Sequence, residues 1–176
     1  MTKVILLEEL KKFTLENTKD ILMPVEPQEE DIEPPAPRPA QVFSMNLSDS
    51  ASYRRDAPYI LHQIINSKDK QPPGQKWPSG IAIIRSVFCV YHEDGQEGGL
   101  MLLNLMERMR IALMKQVVIG GQFTLDLREE LDALFYTEKT APFYGGEMIS
   151  QWQMKSIERE LGQWHEETQI PFQNRM

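Results

Sequence analysis

Residues 3–22, KVILLEELKKFTLENTKDIL, place Ile5 or Leu6, Leu10, Phe13 and Ile21 at near-helical spacing, with Glu8, Lys11, Lys12 and Glu16 between them. That periodicity predicts an amphipathic helix, ended before Pro24 because a proline disfavours helical dihedrals in the residue preceding it. After Pro58 the pattern changes to period two. YILHQIIN predicts a strand from Tyr59 to Asn66, and SKDKQPPGQKWPSG reads as a turn-rich connection. Residues 81–91 form a strand that is apolar on both sides except near Arg85 and Ser86, so both of its faces are expected to be covered, one within the chain and the other within it or by a neighbouring copy. Leu102, Leu105, Met106, Met109 and Leu113 then recur at helical intervals and predict a helix to about Lys115. Farther on, QFTLDL and EMISQWQM alternate as strands. REELDALFYTEK fits a short helix through Leu131, Leu134 and Phe135, or a strand through Leu131, Ala133 and Phe135.

Between the strand at 81–91 and the helix stands HEDGQEGG, which raises the question of a chemical site. Asp94-Gly95 is a turn dipeptide, and Gly98-Gly99 lets the chain redirect before the helix. A phosphate loop needs a lysine and a hydroxyl residue closing a glycine spacing; here Glu93, Asp94 and Glu97 would repel the ligand instead. His92, Glu93 and Asp94 are consecutive and lack paired metal-ligand spacing, while His62 and His165 lie in unrelated contexts. Cys89 falls in the apolar strand, where burial raises a thiol's pKa. No serine lies in a nucleophile elbow. The expectation is a binding or assembly protein with no metal, no cofactor and no catalytic residues; a small cytoplasmic enzyme with a site near His92 is the alternative.

Composition sharpens this. The 176 residues suit one domain with appendages, and 19 basic against 26 acidic residues, net −7, have the wrong sign for gripping nucleic acid or an anionic membrane. One cysteine, no secretory pattern at the start and no membrane-length apolar run predict a soluble chain made in a reducing cytoplasm. Residues 24–40, PVEPQEEDIEPPAPRPA, carry six of the twelve prolines and five acids and read as a solvated linker or surface excursion. The helix over 98–115 also shows Leu103, Ile111 and Met114 outside its core stripe, an apolar arc wider than one sheet contact requires. Four of the ten methionines sit in it, adaptable fillers for a core or an interface. Residues 156–176 start as a helix near Ser156 and end in a mixed arm with Trp164 and Phe172.

These elements predict an α+β domain: a mainly antiparallel sheet of four to five strands with helices on one face, plus an N-terminal helix (1–23), an acidic proline linker (24–56) and a C-terminal arm (156–176) around a domain at 57–155. The segments PYILHQIIN, WPSGIAIIRSVFCVYHEDGQEGGLMLLNLMERMRIALM, FTLD and TAPFYGGEMISQWQM together resemble the tail terminator, or tail completion, proteins of tailed bacteriophages. In that family a strand of the R…F.VY.ED kind precedes a helix of the L.NLMER.R..L kind, and a Pro-x-Tyr-x-Gly turn precedes a closing strand with tryptophan. The resemblance spans about residues 57–155; the opening helix, linker and arm fall outside it.

The resemblance implies a non-enzymatic virion protein at the head–tail junction. It would form a ring, typically of six copies, that caps the tail tube, ends polymerisation of tube protein and offers a docking surface to the head-side connector. DNA would pass the lumen without specific binding, which suits an acidic chain. A closed ring needs two unlike complementary patches on each copy. Arg85, Phe88, Met101, Arg108, Ile111 and Met114 are the expected subunit contacts, and the turns around Asp94, Glu97 and Tyr144 the expected tube or connector contacts. Another head-closure or neck protein is the nearest alternative.

Overall fold

The computed structural model describes residues 2–28, 33–47, 55–71, 73–74, 78–137 and 141–154. Its elements in chain order are α1 (Lys3–Thr18), β1 (Gln41–Ser44), β2 (Tyr59–Lys70), β3 (Ser79–Tyr91), α2 (Gly95–Lys115), β4 (Val118–Ile119), β5 (Phe123–Leu125), β6 (Asp132–Phe135) and β7 (Phe143–Met154). The α+β class holds. Among the described residues the sheet has seven strands where the pattern predicts four to five, in the order β1-β2-β3-β7-β5-β4, with β6 pairing β7 beside β5. Only β1 runs parallel to its neighbour; the other pairings are antiparallel.

Alternation along β3 decides where the core sits. Ala82, Ile84, Phe88 and Val90 point to one side and join Met148 and Trp152 of β7, Leu102, Leu105, Met106 and Met109 of α2, and Leu6, Leu10 and Phe13 of α1 in one cluster. Both helices therefore cover the same face of the sheet. Among the described residues the opposite face is sealed at one end, by Tyr59, Leu61, Cys89, Tyr91 and Phe143 with Phe43 and Leu47 leaning on them. Toward the other end Ile81, Ile83 and Arg85 stay half-buried. Within the described residues of one chain the helices supply the full cover of one face, and the second layer stops short on the other.

Two further expectations change. The opening helix is no appendage, since Leu6, Leu7, Leu10 and Phe13 bury in the common core, and it stops at Thr18 with Ile21 beyond it. The described residues 33–47 of the proline-rich excursion are also tied to the domain. Met23 and Arg38 exchange backbone hydrogen bonds of 2.9 and 3.0 Å, Ala40 and Val42 are buried, and β1 adds to the sheet. The Arg38 guanidinium donates to the carbonyls of Asp56 (2.9 Å), Ala57 (3.1 Å) and Pro58 (3.3 Å), closing the excursion onto the start of β2. A charged side chain expected to be solvated is in fact the pin of this loop, because three carbonyls converge where strand pairing has not yet begun.

REELDALFYTEK resolves as strand β6, with Asp132–Phe135 exposed along its length. The stretch APFYGG is not only a turn: Phe143–Gly146 already pair with β3 as the start of β7. QFTLDL is shorter than expected, Phe123–Leu125, although the Asp126 N–H still donates to the Gln151 carbonyl of β7 at 2.8 Å while its carboxylate accepts from Arg128 at 2.9 Å. Between β4 and β5, Gly120 and Gly121 both have positive φ (55° and 64°), the backbone a tight hairpin turn needs. The arm at 156–176 lies outside the described residues.

Candidate functional site

At the start of α2, Asp94 is a helix cap. Its carboxylate accepts from the backbone N–H of Gln96 and of Glu97, each at 2.9 Å, and those two bonds hold it below the usual carboxylate range. His92 is used in the same turn, its Nδ1 accepting from the Asp94 N–H at 3.0 Å. The helix begins at Gly95, so Gly98 and Gly99 lie inside its first turns instead of preceding it. Gly98 has a packing reason: a Cβ there would overlap the ring of Tyr144, which reaches across from β7. The fold thus gathers Asp94, Glu97 and Tyr144 at one corner. Tyr144 is half-buried beneath the helix and its hydroxyl is enclosed, so Asp94 and Glu97 form the accessible part of that corner. Among the described residues no three His, Cys, Asp or Glu side chains converge as metal ligands.

The candidate subunit contacts separate into four groups. Phe88 is corrected outright: it is 0% exposed in the core, because even-numbered β3 residues face the helices. Met101 packs half-buried against that core. Arg108, Ile111 and Met114 lie on the outward side of α2, Ile111 and Met114 being 41% and 46% exposed. Arg108 pairs with Asp20 at 3.0 Å across to the end of α1. Leu100 and Leu103 extend the same apolar side, and Glu107–Arg110 crosses it as a pair at 2.8 Å.

Arg85 belongs elsewhere. It stands on the bare face of the sheet, donating from Nε (3.2 Å) and Nη2 (2.8 Å) to Oε1 of Gln63 on β2. Around it lie Ile83 and cross-strand Ile149, with Ile65 protruding at a bulge in β2, 49% exposed. Leu134 and Tyr136 add exposed apolar surface from β6 and its C-terminal neighbour. The Tyr136 hydroxyl donates to Glu147 at 2.9 Å, and burial together with that carboxylate raises its pKa to about 12. Sequence reasoning misses this second patch. Its signal is the Leu131–Phe135 stretch: the strand alternative lines up Leu131, Ala133 and Phe135 on one side and so turns Leu134 to the other.

Two buried polar groups are structural. His62 is fully enclosed between α1 and the sheet, 2.9 Å from Thr14 Oγ and 2.8 Å from Ser86 Oγ. Thr14 donates its own proton to the Leu10 carbonyl at 2.8 Å, so it accepts from His62 Nε2–H and leaves Nδ1 to accept from Ser86. Burial drives the imidazole pKa down to about 3. Cys89 is buried beside Tyr59 with its thiol pushed up to about 11, a poor nucleophile.

The residues therefore define an α+β protein whose exposed features are two apolar surfaces and an acidic corner. No protein-family model matches this chain, and no curated protein is significantly similar to it. Among the described residues no helix is long and apolar enough to cross a membrane.

Proposed function

We propose that this chain is a tail terminator of a tailed phage or prophage, a non-enzymatic virion protein that closes as a ring, typically of six copies, on the end of the tail tube. The observation that carries the reading is the pair of unlike apolar surfaces on opposite sides of one layered domain. One is the outward side of α2 with Leu100, Leu103, Ile111 and Met114; the other is the bare sheet face with Ile65, Ile81, Ile83 and Leu134. A two-fold dimer needs a single self-complementary patch, whereas a closed ring needs two different ones on every copy. The resemblance over residues 57–155 supplies the rest: the ring stops addition of tube protein and presents a surface to the head-side connector. The accessible acids Asp94 and Glu97 are assigned to the tube or connector contact. The net charge of −7 suits a lumen that DNA slides through.

Purified protein added to growing tubes of the cognate tube protein tests this. Electron microscopy should show tubes capped at one end by a ring and arrested in length. Rings that bind the connector and leave tube growth untouched would make the chain a head-closure or neck protein instead.

A further inference from the structure

The excursion between α1 and β1 doubles back without zipping shut. Met23 and Arg38 pair through their backbones at 2.9 and 3.0 Å, as the first rung of an antiparallel ladder would. Among the described residues no further rung follows, because Pro24, Pro27, Pro34 and Pro35 have no N–H to donate and hold φ fixed. The two limbs therefore stand apart. Between them and the end of β3 lies a pocket of about 250 Å³, walled by these prolines with Tyr91 and Glu93. Small-molecule sites run to roughly 300–1,000 Å³, so this one suits a single side chain.

Two carboxylates stand at the pocket. Glu93 accepts from the Tyr91 hydroxyl at 3.5 Å, the outer limit of a hydrogen bond, so its acceptor capacity is largely unspent. Burial, then Glu93 and Glu26, raise the Tyr91 pKa, which places both acids around one hydroxyl. Glu93 is exposed and Glu26 half-buried, so both reach solvent. Among the described residues neither has a basic side chain at ion-pair distance. His92, the one basic residue in the lining, uses Nδ1 to accept the Asp94 N–H. Apolar proline walls and a doubly acidic rim match an aliphatic stem that ends in a positive charge.

We propose that this pocket takes a lysine or arginine side chain projecting from a partner protein, its methylenes against the prolines and its charge between Glu26 and Glu93. Proline makes the site preformed, so little ordering of the receptor is needed on binding. Occupancy requires no ring closure and so goes beyond the terminator reading; within that reading the pocket extends the corner of Asp94 and Glu97 that faces tube or connector.

The full-length protein, labelled with nitrogen-15, is titrated with the capped peptide acetyl-Gly-Arg-Gly-amide to about 20 mM, which reaches millimolar affinities. Saturable shifts should centre on the amides of Val25, Tyr91 and His92. The same peptide with citrulline, equal in length and neutral, should bind about tenfold more weakly, as should the arginine peptide to Glu26→Gln/Glu93→Gln. Both substitutions are at solvent-reaching side chains, so the thermal midpoint should stay unchanged. Free arginine, whose own carboxylate meets the two glutamates, should bind more weakly than the peptide. Absence of saturable shifts, equal binding of the citrulline peptide or undiminished binding to the double variant would overturn the pocket. Tighter binding of free arginine than of the peptide would overturn the assignment to a protein partner. All of these readouts come from the single chain, so they leave the ring reading to its own test on tubes.

Discussion

The two faces of the one sheet are made by the same strands and have opposite fates. On the helix side β3 and β7 contribute Ala82, Ile84, Phe88, Met148 and Trp152, all sealed under α1 and α2. On the other side the same strands offer Ile81, Ile83, Arg85 and Ile149, and the covering layer reaches only as far as Val87. The difference teaches that an isoleucine in this strand has a job set by parity: even positions hold the monomer together, and odd positions before Val87 are available to something else. A stability measurement and an assembly measurement should therefore respond to different residues.

The largest effect is expected on the sealed face. Trp152→Ala removes a fully buried ring whose indole donates to Ser150 at 2.9 Å, and should destabilise by about 3–5 kcal/mol in denaturant titration. A loss of under about 1 kcal/mol would mean that the helices do not seal this side.

Next comes the corner where Tyr144 meets α2. Gly98→Ala should cost about 2–3 kcal/mol by forcing the ring aside, more than the mild gain usual for alanine within a helix. In a double-mutant cycle Tyr144→Ala should absorb most of that cost; additive effects would show that the contact is not what demands glycine.

His62 sharpens the comparison through pH. Its folded pKa, about 3, lies below the unfolded value of about 6.5, so the unfolded chain binds the extra proton between them. Its contribution is full above pH 6.5 and fades as pH falls, by about 1.4 kcal/mol per unit between pH 6 and 4. His62→Gln should flatten that slope in thermal melts across the same window. An unchanged slope would show that the imidazole does not titrate against the fold.

The smallest effect on stability is expected on the bare face. Ile83→Ser and Ile65→Ser should each shift the unfolding free energy by at most about 1 kcal/mol, since both side chains retain contact with water. The same variants should abolish ring formation on tubes. Rings assembled normally by both would break the proposed division of labour between the faces.

Much of this architecture is legible in residue order alone. The periodicity of Leu102–Leu113 gives α2 and its core stripe, the alternation of EMISQWQM gives the closing strand, and the outward placement of Ile111 and Met114 follows from helical geometry. Asp94-Gly95 marks the turn, although the helix claims Gly95 itself because the Asp94 cap satisfies the first free N–H groups. Phe88 is misplaced by residue order because a strand apolar on both sides does not declare which parity faces the helices. Only the registers with β2 and β7, and the helices lying on one side, settle that.

What the chain determined by itself is local: which segments are helix or strand, where turns fall, and that apolar surface exceeds what one core consumes. Tertiary structure decided what depends on distant partners. It turned Arg38 from a linker charge into the pin of the β2 start, put Gly98 against Tyr144, locked His62 between Thr14 and Ser86, and left Ile81, Ile83 and Arg85 half-buried. The physical reason is that hydrogen-bond satisfaction and steric fit are properties of the neighbours a residue meets, and those neighbours lie dozens of positions away along the chain.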